Sequence, residues 1–178
     1  RTNAEAIARI FASEAGKFVC ASAGHHLECA LAAHGSGAVA LSRRTHHSIL
    51  NVDIGGGTTK FALIVKGEII GTCALAVGGR LVALDEDGIL ARVEASALRA
   101  ARALGIDLCL GERPDPGDLE RLAETFSEIV VGTILRKPAT GLARELLLTA
   151  PLEGGDAPHF ITFTGGVSEY IFGRENAT

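Results

Sequence analysis

The sequence predicts an α/β fold: a mixed sheet, made of a three-strand antiparallel meander plus parallel strands, flanked by helices. Three observations carry that expectation. Short apolar runs follow one another from Ile49 to Ala76, parted by Gly55-Gly56-Gly57 and by Gly67-Glu68. Asp118 to Leu135 repeats apolar residues at helical spacing (Leu119, Leu122, Phe126, Ile129, Val130). A last apolar run, His159 to Phe163, leads into Thr164-Gly165-Gly166 and a short helical stretch, Val167 to Phe172. Composition agrees. With 47% hydrophobic residues, only 4% aromatic and 22 glycines in 178 residues, the core has to be aliphatic and close-packed.

Taken in order, Thr2-Asn3-Ala4-Glu5 reads as a capping box opening a helix that Gly16 ends. Phe18 to Ala21 fits a short buried strand. His25 to Ala33 looks helical and is stopped by His34-Gly35-Ser36-Gly37; a second short helix follows over Ala38 to Arg43. Ile49 to Ile54 is the first strand of the meander, Lys60 to Lys66 the second and Ile69 to Ala76 the third. In the second, Phe61 to Val65 is apolar on both faces, as a strand buried between two layers would be. Leu81 to Leu84 and Ile89 to Val93 read as a small hairpin turned by Asp85-Glu86-Asp87-Gly88, and Ser96 to Leu104 as a helix ended by Gly105. Cys109 to Pro116 is a loop. After the long helix Pro138 breaks the pattern, and Gly141 to Thr149 is expected to be helical again.

Lys and Arg number 17 against 21 Asp and Glu, a net charge of −4 with no basic block, which argues against nucleic acid or an anionic membrane as partner. No apolar run approaches the ~18–20 residues that span a bilayer, and no signal peptide opens the chain. Cys20, Cys29, Cys73 and Cys109 form no C-x-x-C pair. These features point to a soluble, reduced, cytoplasmic protein. The chain starts at Arg1 and has no methionine, as an excised piece of something longer would.

One stretch carries chemistry. Asp53 ends a strand and is followed by Gly55-Gly56-Gly57-Thr58-Thr59. Glycines let backbone N–H groups approach a phosphate closely, the threonine hydroxyls add donors, and Asp53 can hold magnesium through water or orient an attacking water. The bland alternative is a glycine-rich β-turn beside a solvated carboxylate; the strand–Asp–GGGTT–hairpin setting favours phosphate. Thr164-Gly165-Gly166-Val167 is a second strand-to-helix glycine turn, whose helix N–H groups could face a ligand. Valine at Gly56 or Gly166 is expected to block backbone approach and any positive φ. Other matches fail. Lys60 follows Thr59 on a strand, so no Walker A loop exists, and Gly35-x-Gly37-x-x-Ala40 follows a helix where a dinucleotide fingerprint needs a strand. The adjacent pairs His25-His26 and His46-His47 have no metal-ligand spacing, and no G-x-S-x-G elbow is present.

The Asp53-Ile-Gly-Gly-Gly-Thr-Thr-Lys motif and the distant Thr164-Gly-Gly-Val together resemble the actin-like ATPase superfamily. Within it, Gly16-Lys-Phe-Val-Cys-Ala-Ser-Ala-Gly-His-His-Leu-Glu, Leu50-Asn-Val-Asp-Ile-Gly-Gly-Gly-Thr, Val77-Gly-Gly-Arg-Leu and Thr164-Gly-Gly-Val-Ser-Glu-Tyr resemble the ethanolamine ammonia-lyase reactivating factor family. The similarity runs from Thr2 to Glu175 and is weakest between Ala83 and Asp156. It implies an RNase H-like lobe of a two-lobed clamp for Mg-ATP. It also implies release of damaged cobalamin from the lyase. On the matching positions, Asp53 to Thr59 is the second phosphate loop, Gly165 and Gly166 the adenosine-binding turn, and His25 to Ala33 the connector between lobes. Residues 1–44 would then be the end of the first lobe and 45–178 most of the second. Gly78 and Gly79 fall in a family signature to which the sequence assigns no role. The family's first phosphate loop has no counterpart here, so ATPase activity is expected of a full-length protein and not of this stretch. Rival readings are another actin-like ATPase, a sugar kinase, or a nucleotide-binding scaffold without turnover.

Overall fold

The computed structural model describes residues 24–152 and 156–175. The expected capping box, first helix and Phe18–Ala21 strand lie outside the described residues, as does Cys20. Two helices come first, α1 (His25–Gly35) and α2 (Ala38–Thr45). The meander follows as β1 (Ile49–Ile54), β2 (Thr59–Val65) and β3 (Glu68–Leu75), then the hairpin β4 (Val82–Leu84) and β5 (Leu90–Val93). Helices α3 (Ala95–Leu104), α4 (Pro116–Ile134) and α5 (Gly141–Glu145) precede the strand β6 (Phe160–Thr164) and the single turn α6 (Ser168–Ile171).

The main sheet runs β3-β2-β1-β6, with the meander antiparallel and β6 parallel to β1. This is the mixed sheet flanked by helices that the sequence predicts. In this register Asp53 stands opposite Lys60 on β2 and opposite Thr164 on β6. Two threonine hydroxyls of β6 fix the parallel pairing: Thr162 donates to Asn51 Oδ1 at 2.9 Å and Thr164 to Asp53 Oδ1 at 3.0 Å.

Both faces of β1 and β2 are covered. Leu50, Val52, Phe61, Leu63 and Leu75 pack into one core with Ala97 and Ala100 of α3 and Leu122 and Phe126 of α4. On the opposite face Ile49, Ala62 and Ile64 meet Ala33, Ala38 and Val39 of α1 and α2. Burial on two sides is why β2 reads as an unbroken apolar run. Phe61 is fully buried, which contributes about 1.5–3 kcal/mol.

Two expectations need correction. Helix α4 starts at Pro116, before the expected Asp118, because the Asp115 carboxylate accepts from the amides of Gly117 and Asp118 and caps it. The helix expected over Gly141 to Thr149 stops at Glu145. Beyond it the chain runs along the free edge of β3: the Ala76 amide donates to Leu146 O and the Leu148 amide to Ala74 O, each at 2.8 Å. The Thr149 hydroxyl accepts from the Ala74 amide. An uncovered sheet edge outweighs a short helix's propensity.

Cys29 and Cys73 are buried side by side, the Cys29 thiol donating to Cys73 O at 3.3 Å. Burial pushes both thiols up from their ordinary value. A raised folded-state value favours the neutral thiol, so this contribution to stability is whole below the unfolded value of about 8.5 and declines as pH rises beyond it. Urea midpoints measured between about pH 8 and pH 10 should therefore fall less in a Cys29→Ala/Cys73→Ala variant than in wild type. An equal decline in both would reject this account.

Candidate functional site at the carboxyl ends of two parallel strands

Asp53 sits half-buried near the end of β1. Immediately after it the chain closes a tight loop, the Gly55 amide donating to Thr58 O at 2.9 Å. Gly56 and Gly57 form the exposed tip, and among the described residues their amides donate to no protein group. The Thr58 hydroxyl, half-exposed beside them, accepts from Lys60 Nζ at 3.1 Å. That ammonium also lies 3.8 Å from Glu28 Oε2 on α1, and His25 Nδ1 lies 3.7 Å from the same carboxylate. Helix α1 is thereby tied to the loop.

Thr59 behaves differently from its neighbour. The sequence groups it with the loop's donors, but its side chain is fully buried and its hydroxyl donates to Val77 O at 2.8 Å. It braces the loop from beneath and has no surface to offer a ligand.

The second turn is pressed against the first. Gly165 has φ +83°, and a Cβ there would stand 2.3 Å from Ile54 O and 3.0 Å from Asp53 Oδ1. Only glycine fits. Gly166 is the opposite case: its φ is not positive, and a Cβ would meet nothing within 4 Å. Gly56 likewise has no positive φ, and a Cβ would make only ordinary contact with Arg80. A side chain at Gly56 or Gly166 therefore meets neither a forbidden φ nor a backbone clash, contrary to the expectation from sequence; the constraint sits at Gly165. Nor do the helix amides after this turn face outward. The Val167 amide donates to Ile54 O, the Ser168 amide and hydroxyl donate to Gly165 O, and α6 itself spans four residues.

Between the two turns lies Gly78-Gly79. A Cβ on Gly78 would fall 2.5 Å from Gly56 O, and one on Gly79 would fall 2.5 Å from Val167 Cγ2. The Gly79 amide donates to Gly55 O at 3.0 Å and the Arg80 amide to Gly56 O at 2.7 Å. Neither glycine has a positive φ, so the pair serves close backbone approach; two adjacent glycines soon after a strand are the signal the sequence carries for it. Nothing in the sequence marks the open apolar cavity of about 680 Å³ beside these turns, walled by Ile54, Gly79, Phe126, Phe163 and Val167 among others. Its walls come from strand, turn and helix residues far apart in the chain, and only tertiary packing decides whether their apolar side chains meet a partner or a void.

Chemically, the arrangement offers two amides unpartnered among the described residues and a hydroxyl around one exposed loop, backed by an ammonium shared between Thr58 and Glu28, with a carboxylate at its base. Donors gathered in this way suit an anion. Asp53 keeps acceptor capacity after its bond from Thr164, enough to take a water or the hydration shell of a cation. Among the described residues no group of three or more His, Cys, Asp or Glu gathers as metal ligands. The histidines serve locally, His26 Nδ1 meeting Thr72 Oγ1 and His159 Nδ1 meeting Ser48 Oγ, each at 2.7 Å. Among the described residues no helix is long and apolar enough to cross a membrane.

Fold and site together define an α/β domain in which two glycine turns meet beside Asp53 at the ends of parallel strands. Over residues 1–178 the chain matches the family described as Ethanolamine utilisation protein EutA, and it belongs to that family. Ethanolamine ammonia-lyase reactivase EutA of Escherichia coli K12 is 37% identical over 176 residues, which cover 94% of this chain and 36% of the relative. The protein of the same name from Salmonella typhimurium LT2 is 35% identical over the same shares. The chain thus spans little more than a third of the length of these curated relatives.

Proposed function

We propose that this chain is the phosphate-binding part of an ATP- and magnesium-dependent reactivating factor for ethanolamine ammonia-lyase, working in the cytoplasm to release damaged cobalamin so that adenosylcobalamin can enter. In this reading residues 45–178 form most of an actin-like ATPase lobe, and residues 1–44 the end of its companion with α1 as connector. The observation that carries it is the Gly55–Thr58 loop beside Asp53, whose Gly56 and Gly57 amides have no protein partner among the described residues.

The residues present fit Mg-ATP. The loop amides and Thr58 hydroxyl would take phosphate oxygens, Gly165 and Gly166 would line the approach of the nucleoside, and Asp53 would hold magnesium through water. Among the described residues Asp53 is the one carboxylate at the loop without an ion-pair partner, and a water-mediated site suits magnesium, which dehydrates reluctantly. When bound, magnesium supplies charge neutralisation on the phosphates. Asp53 orients the attacking water, Thr164 holds the Asp53 carboxylate in place, and the Glu28–Lys60 pair positions Thr58. The test is a protein of the relatives' full length carrying this chain, added to cobalamin-inactivated lyase with fresh adenosylcobalamin. Activity is expected to return with Mg-ATP and not without it. Recovery indifferent to ATP, or none, would reject the proposal.

A further inference from the structure

The segment Val77–Arg80 is more tightly bound to the phosphate loop than a strand connection requires. Val77 O takes the Thr59 hydroxyl, Gly78 lies against the Gly55–Gly56 backbone, and Gly79 and Arg80 donate their amides to Gly55 O and Gly56 O. Its far end is held too, since Arg92 Nη2 donates to Arg80 O at 3.2 Å. Each residue of this strut has its backbone fixed relative to Gly56. What the strut carries outward is the Arg80 side chain. Its Cβ and Cδ pass 3.7 and 3.8 Å from the point where a Gly56 Cβ would stand, and the residue is exposed. The nearby Arg92 is compensated by Glu94 at 3.5 Å, whereas Arg80 joins no ion pair among the described residues. A guanidinium on a fixed stem, beside two amides that are unpartnered among the described residues, presents several donors in a plane, the geometry that takes two oxygens of one phosphate.

We propose that Arg80 is a phosphate-binding residue of this site, and that Gly78-Gly79 exist to seat it against the loop. The ligand class is a nucleoside polyphosphate, contacted through its phosphate chain and not through its base. This rests on the ATP reading above, and the test separates the two. Calorimetric titration of the full-length protein uses Mg-ATP and adenosine as probes. Arg80→Gln should weaken Mg-ATP about tenfold to a hundredfold, the loss of charged hydrogen bonds, with adenosine affinity and the unfolding midpoint unchanged. Arg80→Lys should recover part of the affinity, since it keeps the charge and loses the planar fork; should the glutamine variant fail to fold, a loss confined to Mg-ATP in the lysine variant carries the same conclusion. Wild-type Mg-ATP affinity in Arg80→Gln, or equal losses for Mg-ATP and adenosine, overturns the role of Arg80 alone. Wild-type protein that binds no Mg-ATP overturns the ATP reading and this inference with it.

Discussion

In the full-length protein Asp53→Asn is expected to fold normally and to lose ATP turnover roughly 10²- to 10⁴-fold, the range for removing a positioned proton acceptor. The variant is chosen for what it keeps. Asn retains an oxygen at the place where Asp53 Oδ1 accepts from Thr164, so the bond joining β1 to β6 survives. The neighbours across the register, Lys60 and Thr164, lose no volume to pack against. Only the negative charge disappears, and with it the role toward water and magnesium proposed above for Asp53. Asp53→Ala would be a poorer test, since it also strips Thr164 of its partner. The decisive pattern is a lowered kcat with the unfolding midpoint near that of wild type. Wild-type turnover would leave Asp53 as a strand-pairing residue and nothing more.

How far these features could be read in advance depends on where each cause lies. The ends of β1, β2 and β3 fall within a residue of expectation, because alternation, burial on both faces and glycine punctuation are local. Asp115-Pro116 is equally local, a capping residue followed by a proline suited to the first helical position, and it marks the start of α4 inside the stretch expected to be loop. The segment after Glu145 was beyond reach: its conformation answers the unpaired edge of β3, some seventy residues away in the chain. The site divides the same way. Asp53 and Gly55–Gly57 were visible as a charge and a glycine run at a strand end. Thr58 and Thr59 look interchangeable in sequence, yet strand alternation turns one toward the loop's outer face and the other into the core against Val77. Likewise nothing in the string Gly165-Gly166 says which glycine is constrained. That follows from the carbonyl of Ile54, more than a hundred residues earlier, lying against only one of them.

The two adjacent glycines are accordingly expected to respond in opposite ways to the same added methyl. Gly165→Ala forces a Cβ to within 2.3 Å of Ile54 O and 2.7 Å of its carbonyl carbon, both backbone atoms at the end of a central strand. Neither can yield without moving Asp53 or breaking the Val167 amide's bond to that oxygen. The left-handed backbone at φ +83° adds about 1–2 kcal/mol for any residue with a side chain, and overpacking about 1–3 more. A loss of about 2–5 kcal/mol in urea unfolding follows. Gly166→Ala meets open space at an ordinary φ and should stay within about 0.5 kcal/mol of wild type. Gly78→Ala supplies a control between the loops. Its Cβ would overlap the Gly56 carbonyl at 2.5 Å, and it should be destabilising although its φ is not positive. Because Gly166→Ala folds, it is also the variant that can report on the nucleoside: reduced adenosine affinity with unchanged stability would mean a ligand approaches the backbone there. Equal destabilisation by Gly165→Ala and Gly166→Ala would contradict the placement of this turn against β1, and with it the convergence of the two loops on Asp53.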